Sequence, residues 1–321
     1  MTNDAVAKII FDKLVSAKRP LLIAHKKPDG DTLGAMMAVY NFLRDRGQEA
    51  YAYCVDAPAR AYSYFPRIRE VQTSPETFRD ETIDMICVFD AGDLKYAGVE
   101  EFIAAMPKRP FIANFDHHVT NLRFGDANLV IADASSTAEV VHGFFAANGV
   151  EASRAMATCV MTGILTDTSN FSNPGTTVGS LKIASDLLLK GASIQEITGR
   201  LMRNKPVEAL KLWGKALERL RWNADLGIAS TVLYQDDFKE HPVGDEYVES
   251  LSNFLNHLLD VGVVLVLKEL PDGKVKGSFR SANDVDVSEL AKRLGGGGHK
   301  KAAGFTVAGK IVEDADGWKV V

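Results

Sequence analysis

The sequence lacks the features that mark several specialised classes of protein. Its three cysteines, Cys54, Cys87 and Cys159, lie far apart and show none of the paired spacing of a zinc site. No apolar run approaches the roughly 20 residues that a membrane-spanning helix needs. The formal net charge is −5, which excludes a generally basic coat for nucleic acid. We therefore expect a cytoplasmic protein without membrane partners, whose thiols are buried and reduced.

The remaining composition is that of an ordinary globular protein. Of the 321 residues, 46% are hydrophobic and 25% are charged, and this length suits two domains that each bury a core. The first 20 residues combine scattered apolar and charged side chains, which predicts an amphipathic helix and not a signal peptide. Composition shifts near residue 190, and an amphipathic pattern begins at residue 206. The predicted parts are a first domain over residues 1–189, a linker over 190–205 and a second domain over 206–321.

Three short apolar segments in the first half each end in side chains that can bind metal. Residues 20–25 end in a histidine, residues 84–90 end in an aspartate, and residues 111–118 end in Asp-His-His. Such β-prone runs, separated by helical patterns, predict an α/β domain with a parallel sheet and helices on both faces. Because the carboxyl ends of parallel strands lie side by side, these polar side chains are expected to meet.

Two interpretations of the first polar cluster stay open. Asp31 is well placed to cap a helix that is predicted from Asp31 to about Arg46, with Asp29 as a turn residue. In the other interpretation, His25, Asp29 and Asp31 converge at the end of a strand as metal ligands. Asp167 is likewise either a helix-end residue or a further ligand.

A later serine-rich segment is assigned to helix capping alone. Ser135, Ser136 and Thr137 are capping candidates, and Glu139 completes a capping box. These roles account for the segment, so no chemistry is expected there.

The polar ends of the predicted strands and helices form one large candidate set of ligands. The set contains His25, Asp29, Asp31, Asp90, His117 and Asp167, with Asp116 and His118 beside them. Carboxylates at such close range repel one another unless cations neutralise them. A donor set of oxygen with some imidazole favours Mn²⁺, with Mg²⁺ or Fe²⁺ as alternatives, over a thiolate-type zinc site. The number of ligands suits two metal ions bridged by one carboxylate, as in enzymes that displace a phosphoryl group.

Four motifs resemble, in order, those of the DHH phosphoesterase superfamily. They are His25-xx-Pro28-Asp29-x-Asp31-xx-Gly34-Ala35, Asp90-xx-Asp93, Asp116-His117-His118 and Asp167-Thr168. By this resemblance Asp90 bridges the two ions. One ion is also held by His25 and Asp29, and the other is also held by Asp31, His117 and Asp167.

The resemblance also implies roles for the residues beside the ligands. Asp116 would orient His117 from outside the ligand set, and His118 would contact the scissile phosphate or assist as an acid. Ser169 stands where many relatives have glycine, which leaves the ligand Asp167 intact but affects the rim of the substrate site.

The second half predicts a smaller mixed α/β domain that contains a glycine run. Residues 295–298 are all glycine, and His299 follows them. The free N–H groups of such a run can wrap an anion, and a helix predicted to start at His299 would add its positive end. A flexible linker is the alternative, although such linkers usually carry Ser or Thr. Arg280, on a strand predicted over residues 274–281, can make bidentate contacts to phosphate.

The glycine run with His299-xx-Ala302-Ala303-Gly304, together with Phe279-Arg280-Ser281, resembles the DHH-associated C-terminal substrate domain. This domain type occurs in oligoribonucleases that also act on pAp (3′-phosphoadenosine 5′-phosphate) and in cyclic-dinucleotide phosphodiesterases. Family II inorganic pyrophosphatases use a different second domain, and RecJ needs room for an added oligonucleotide-binding fold. The resemblance implies substrate binding by Arg280, Ser281, Gly296, Gly297, Gly298 and His299.

The resemblance therefore implies a metal-dependent exonuclease that hydrolyses short oligoribonucleotides to nucleoside monophosphates and pAp to AMP and phosphate. The main alternative activity is hydrolysis of c-di-AMP or of the linear dinucleotides pApA or pGpG. The same phosphate-binding residues would bind these substrates. A non-catalytic nucleotide-binding sensor is the rival of a different class. It is disfavoured because every ligand position is filled. The oligomeric state stays open, with a homodimer as the form that relatives suggest.

Overall fold

The computed structural model of the chain describes residues 2–202, 205–281, 285–314 and 317–321. The chain divides into two units, Met1–Asn204 and Lys205–Val321, and each unit has its own buried apolar clusters. All three cysteines are buried free thiols, as the sequence predicts. Among the described residues, no helix combines the length and the apolar character that crossing a bilayer requires.

A five-stranded parallel sheet forms the centre of the first unit. Its strands are β1 (Pro20–Ala24), β2 (Tyr51–Tyr53), β3 (Met85–Phe89), β4 (Phe111–Asp116) and β5 (Ala127–Val130). They lie in the order β2-β1-β3-β4-β5, and every neighbouring pair is parallel. β1 and β3 are apolar and buried at every residue, which is typical of strands that are covered on both faces.

Helices cover both faces of this sheet, as the sequence predicts. They are α1 (Asn3–Ser16), α2 (Gly30–Asp45), α3 (Leu94–Ala97), α4 (Glu100–Ala104), α5 (Thr137–Ala147), α6 (Arg154–Asp167), α7 (Val178–Leu189) and α8 (Ile194–Met202). Successive strand residues point to opposite faces. Leu22 and Cys87 thus belong to the core under α1, α2, α5 and α6, whereas Leu21 and Ile86 pack towards α3 and α4.

The contact between α2 and α6 depends on a glycine. A Cβ atom on Gly34 would lie 2.5 Å from the carbonyl oxygen of Cys159 and 3.0 Å from the nitrogen of Gly163. The two backbones therefore approach more closely than any side chain at position 34 permits. This contact sets the first turn of α2, which contains Asp31, against α6, which ends at Asp167.

The N-terminus of α2 differs from the sequence-based prediction. Asp29, and not Asp31, caps the helix, because its carboxylate accepts hydrogen bonds from the N–H groups of Asp31 (3.0 Å) and Thr32 (3.1 Å). Gly30 is already helical, so Asp31 lies in the first turn and only 1% of its surface is exposed. The predicted capping role of Asp31 is therefore wrong, and its buried carboxylate is available for another purpose.

A helix also occupies most of the segment that the sequence predicts as a linker over residues 190–205. Helix α8 packs Ile197 into the core of the first unit, with Ile194 and Leu201 partly buried against it. The spacing of these three residues is that of one helical face. The described division between the units falls after Asn204, so residues 194–202 belong to the first unit.

The second unit is built on a six-stranded mixed sheet, in agreement with the predicted mixed α/β domain. Its strands are β6 (Arg221–Asn223), β7 (Ile228–Leu233), β8 (Val263–Glu269), β9 (Lys274–Arg280), β10 (Gly297–His299) and β11 (Ala302–Ala308), in the order β10-β11-β9-β8-β7-β6. Only β7 and β8 are parallel. The helices are α9 (Val207–Glu218), α10 (Gln235–Glu240), α11 (Asp245–Leu258) and α12 (Val287–Arg293), and β12 (Ile311–Asp314) and β13 (Gly317–Val320) form a separate pair.

The end of the glycine run is an edge strand and not the start of a helix. In β10, Gly298 pairs with Ala303 and His299 pairs with Ala302 across an antiparallel turn. The predicted helix at His299 is wrong. One side of β11 pairs with β9 along its whole length, and the other side pairs with residues 297–299, which are therefore extended. His299 is consequently exposed at the sheet edge.

Replacing Gly34 by alanine tests the close packing of α2 on α6. We expect Gly34→Ala to lower the free energy of unfolding by about 1–3 kcal/mol, because the added methyl group overpacks a backbone contact. Gly143→Ala in α5 is the matched control, since a Cβ there meets nothing within 4 Å. The control is expected to raise stability by about 0.5–1 kcal/mol. Urea unfolding followed by circular dichroism would contradict the prediction if Gly34→Ala were as stable as the parent.

Candidate metal centre

The six predicted metal ligands meet at the carboxyl edge of the parallel sheet. His25, Asp90 and His117 each directly follow the last residue of a strand, and these strands, β1, β3 and β4, are neighbours. The other ligands come from helix ends. Asp29 and Asp31 lie at the start of α2, and Asp167 is the last residue of α6.

Asp90 lies between two groups of these side chains. The Nε2 atom of His25 is 3.4 Å from Asp90 Oδ2 and 3.8 Å from Asp29 Oδ1. The Nε2 atom of His117 is 3.7 Å from Asp90 Oδ1 and 3.4 Å from Asp167 Oδ2. The two carboxylate oxygens of Asp90 thus face different histidines, which is the arrangement that a bridging ligand requires.

Three sets of side chains are compact enough to surround a metal ion. Within each set the potential ligand atoms lie within 4.8 Å of one another. The sets are His25, Asp29 and Asp90; Asp31, His117 and Asp167; and Asp90, His117 and His118. The first set is the ligand group that the sequence predicts for one ion. The second set contains three of the four residues predicted for the other ion, without Asp90, and the third set adds the second histidine of the triplet.

Burial makes the negative charge of this cluster costly. Burial, reinforced by the charge of Asp90, raises the pKa of Asp31 well above its ordinary value. Burial also raises the pKa of Asp167 to about 6, with Asp90 adding to the effect and His117 opposing it. Buried like charges favour the protonated acids unless cations neutralise them. Carboxylate oxygens with imidazole nitrogens are ligands suited to Mn²⁺, Mg²⁺ or Fe²⁺, so the donor set fits a divalent ion.

The N-terminus of α5 holds two of the carboxylates, which the sequence does not reveal. The N–H groups of Thr137 and Ala138 donate to the two oxygens of Asp31 at 2.7 and 2.9 Å. The Thr137 hydroxyl donates to Asp90 Oδ1 at 2.9 Å. Ser136 caps the helix, as the sequence predicts. The capping motif marks the start of a helix, where free N–H groups and the helix dipole stabilise anions. This motif was therefore the signal in the sequence that could have pointed to the site.

A second residue outside the predicted set, Thr32, fixes the first histidine. Its hydroxyl accepts a hydrogen bond from the N–H of His25 at 3.2 Å and donates to the carbonyl of Phe89 at 3.0 Å. The Nδ1 atom of His25 lies 2.8 Å from the carbonyl of Lys26, which turns Nε2 towards the carboxylates. The ends of β1 and β3 are thereby tied together at the point where each supplies a ligand.

Asp90 itself has an unusual backbone conformation. Its φ is +57°, in the left-handed region that a non-glycine residue enters at a cost of about 1–3 kcal/mol. Its N–H donates to the carbonyl of Phe115 at 2.9 Å, which continues the pairing of β3 with β4 by one residue. The sheet thus holds the strained residue in place between the two ligand groups.

The two histidines of the triplet have different partners. Asp116, which is fully buried, accepts a hydrogen bond from Nδ1 of His118 at 2.8 Å. His117 instead places its Nδ1 atom 3.2 Å from the carbonyl of Ala134. Asp116 therefore meets His117 through the backbone N–H of that residue at 2.7 Å, and the ring that it orients is that of His118. The hydrogen bond to Asp116, opposed by burial, raises the pKa of His118 to about 9.

The segment after Asp167 is also left-handed. Ser169, Asn170 and Phe171 have φ values of 50°, 57° and 63°. This conformation favours glycine. Ser169 is therefore strained, and it occupies the position at which, by the resemblance, many relatives have glycine. The strain lies directly beside a ligand of the candidate centre.

The predicted substrate-binding residues lie together within the second unit. Arg280 on β9 pairs with Ala302 on β11, and Ala302 pairs with His299 on β10. Residues directly opposite in antiparallel strands share a face of the sheet. Arg280 and His299 thus lie in one row, separated only by a methyl side chain. Ser281 is buried at the end of β9, and its N–H donates to the carbonyl of Lys301 at 3.0 Å.

Of the predicted glycines, Gly297 and Gly298 lie in the outer strand β10 beside this row, and Gly296 directly precedes it. Gly297 and His299 are exposed, and Gly298 has a φ of +143° with a virtual Cβ only 2.6 Å from the carbonyl oxygen of Ala302. On β9, Nε of Arg280 donates to Oδ1 of Asn253 at 2.7 Å, and Nη1 donates to the carbonyl of Phe279 at 2.9 Å. Asn253 on α11 was not predicted from the sequence.

Comparison with known proteins places these two units in described families. Residues 20–164 match the model of the DHH family, N-terminal domain, and residues 232–316 match that of the DHHA1 domain. The bifunctional oligoribonuclease and PAP phosphatase NrnA of Thermus thermophilus is 32% identical, over 96% of this chain and 90% of that protein. The cyclic-di-AMP phosphodiesterase GdpP of Geobacillus thermodenitrificans is 25% identical, over 97% of this chain but 48% of that protein.

A solved structure has the same fold along nearly the whole chain. It is that of an exopolyphosphatase-related protein from Bacteroides fragilis, with a TM-score of 0.87, 23% sequence identity and coverage of 95% of this chain and 92% of that one. The family models, the Thermus relative and the cluster at the sheet edge agree with one another. The chain belongs to the DHH family of phosphoesterases and carries a DHHA1 domain in its second unit.

Proposed function

We propose that this protein is a metal-dependent phosphoesterase that hydrolyses short oligoribonucleotides to nucleoside monophosphates and pAp to AMP and phosphate. The observation that carries the proposal is the position of Asp90, whose two carboxylate oxygens face two separate groups of ligands. The Thermus relative, which this chain matches along nearly its whole length, is named for both activities.

Two divalent ions, with Mn²⁺ preferred and Mg²⁺ or Fe²⁺ as alternatives, fit the donor set of the first unit. One would be held by His25, Asp29 and Asp90, and the other by Asp31, Asp90, His117 and Asp167. When bound, such ions offset the charge of phosphoryl oxygens and lower the pKa of water. The protein's own contribution is to fix the ligands, through Thr32, Thr137 and the N-terminus of α5.

His118 is the candidate for direct contact with the scissile phosphate. Its side chain is half exposed, and its Nδ1 atom is held by Asp116, which leaves Nε2 for a substrate. The raised pKa favours the imidazolium at neutral pH. His118 would therefore donate a charge-assisted hydrogen bond to a phosphate oxygen, or pass its proton to the leaving oxygen. Asp116 keeps the ring in the orientation that both roles need.

The row formed by Arg280 and His299 is the candidate for binding a terminal phosphate of the substrate. No described residue accepts a hydrogen bond from Nη2 of Arg280, so that side of the guanidinium can meet an anion. The exposed backbone of Gly297 and Gly298, next to the half-buried Gly296, would add polar contacts to the same substrate, as would Ser281 at the end of β9. A planar guanidinium binds phosphate in a bidentate manner, which gives specificity for a terminal phosphate group.

The rival substrates are c-di-AMP and the linear dinucleotides pApA and pGpG. The name of the Geobacillus relative favours the first of these. A non-catalytic nucleotide-binding sensor is less well supported, because all six ligands are present and converge. Domain bounds of 1–189 and 206–321, a cytoplasmic location and a homodimer stay predictions.

A hydrolysis panel tests the proposed function. With added Mn²⁺, we expect release of monophosphates from di- to pentaribonucleotides and of phosphate from pAp, at higher kcat/KM than for c-di-AMP. Chelation should abolish every activity, since the buried carboxylates would repel substrate phosphate without their cations. Readdition of Mn²⁺ should restore it. Turnover that persists in chelator, or a preference for c-di-AMP, would contradict the proposal.

Asp90→Asn tests the bridging role. We expect at least about 100-fold lower kcat and fewer than two bound Mn²⁺ ions by calorimetry, because both ligand groups lose their shared carboxylate. The metal-free variant should not be less stable, since a buried like charge has been removed. Asp93→Asn is the control, because Asp93 caps α3 and asparagine caps equally well. Retention of both ions in Asp90→Asn would rule out the bridge.

His299→Ala tests the phosphate grip of the second unit. We expect KM for pAp to rise roughly tenfold with kcat little changed, which corresponds to the loss of one charge-assisted hydrogen bond. Lys310→Ala, at an exposed turn position of the same unit, is the control for a change of surface charge. Steady-state kinetics with an unchanged KM in His299→Ala would exclude the predicted contact.

A further inference from the structure

The side chain of Asn121 makes four hydrogen bonds, and two of them connect the triplet to the neighbouring strand end. Its amide nitrogen donates to Oδ2 of Asp116 and to the carbonyl of Ala91, the latter at 3.0 Å. Its amide oxygen accepts from the side chain of Asn114 at 2.9 Å and from the N–H of Arg123 at 2.7 Å. These four bonds use the full capacity of a side-chain amide.

The contact with Asp116 decides how that carboxylate is oriented. Oδ1 of Asp116 accepts from Nδ1 of His118 and from the N–H groups of His117 and His118. For Oδ2, Asn121 is the one partner among the residues that the structure describes. A fully buried carboxylate requires partners for both oxygens. Without the donor of Asn121, the carboxylate would rotate or draw in water, and the bond to His118 would lose its fixed direction.

The contact with Ala91 attaches the same amide to the other strand end. Ala91 follows Asp90, the strained residue between the two ligand groups. The adjoining pair, in which Leu122 N–H donates to the carbonyl of Gly92 at 2.9 Å, strengthens this connection. Asn121 thus holds Asp116 at a set distance from the turn that carries Asp90.

We propose that Asn121 is a positioning residue for phosphoester hydrolysis: it fixes Asp116, and through Asp116 it orients the His118 imidazole towards the substrate. This inference rests on the proposed function, in which His118 meets the scissile phosphate. Asn121 does not touch the reacting atoms. Its effect is transmitted by two hydrogen bonds in series, from the amide to the carboxylate and from the carboxylate to the ring.

The chain supplies a matched control within the same polar network. Asn128 accepts a hydrogen bond from the side chain of Asn114 at 3.2 Å and exchanges two bonds with the backbone of Gly125. No described bond joins it to Asp116. A loop-stabilising role alone would give Asn121→Ala and Asn128→Ala similar effects, whereas positioning of His118 is specific to Asn121.

The first test observes the metal-free protein and needs no turnover. We expect the Nδ1 proton of His118, bonded to Asp116, to give a protected low-field NMR signal, which is identified by its loss in His118→Ala. We expect this signal to broaden or disappear in Asn121→Ala through faster exchange, and to persist in Asn128→Ala. If Asn121→Ala does not fold, Asn121→Leu keeps a similar volume and removes the donor. A retained signal in the folded variant, or an equal loss in Asn128→Ala, overturns the inference.

The second test is a double-mutant cycle on a dinucleotide with Mn²⁺. Asn121→Ala should lower kcat about 10- to 100-fold with little change in KM or in the number of bound ions. In the His118→Ala background the same change should cost less than about threefold, because residues that act as a unit are not additive. An equal loss in both backgrounds overturns the inference. If the parent protein hydrolyses no substrate, the proposed function fails, while the NMR comparison still decides the positioning role.

Discussion

Carboxylates that are buried beside one another repel, and the first unit concentrates several of them at the carboxyl edge of its sheet. Asp31 and Asp90 have almost no exposed surface, and the pKa values of Asp31 and Asp167 are raised as a result. The fold brings this charge together through unrelated forces, namely the burial of apolar strands and the tight crossing of α2 and α6 at Gly34. The packing of the apolar core thus holds the carboxylates close together, and cations are expected at the site because they would offset this negative charge.

A set of uncharged donors surrounds the carboxylates and limits this repulsion. The hydroxyl groups of Thr32 and Thr137 and the first N–H groups of α5 each bond to a ligand or to the backbone beside one. They do not remove the negative charge, but they fix the orientation of the side chains that carry it. A metal site needs ligands that are held before the ion arrives, and neutral donors supply this without competing for the ion. Asp116 fixes the direction of the His118 ring in turn, although it does so as a carboxylate that accepts a hydrogen bond.

The second unit presents its candidate binding groups by a different principle. Its antiparallel register sets Arg280, Ala302 and His299 in one row, so cationic and donor groups flank a small side chain. The glycines of the edge strand keep backbone close to this row, and the hydrogen bond that Arg280 donates to Oδ1 of Asn253 holds its guanidinium. The first unit thus gathers negative charge that suits metal ions, whereas the second gathers donors that suit phosphate.

Local pattern in the sequence was sufficient to predict the parallel sheet, the six candidate ligands at its edge and the mixed sheet of the second unit, because strand burial and the polar end of a strand are encoded within a few residues. Partners that depend on contacts between distant segments were not predictable. Thr137 lies 106 residues from Asp31, and neither position shows in isolation that it meets the other. The sequence also did not show which of two neighbouring residues makes a given contact. Asp29 caps α2 in place of Asp31, and Asp116 bonds the ring of His118 and not that of His117. The end of the glycine run pairs with β11 as a strand and does not start a helix. The sequence by itself determined which residues could bind metal and phosphate. Only the tertiary structure decided which neighbour each one bonds, since that choice depends on the relative positions of strands and helices that the core fixes.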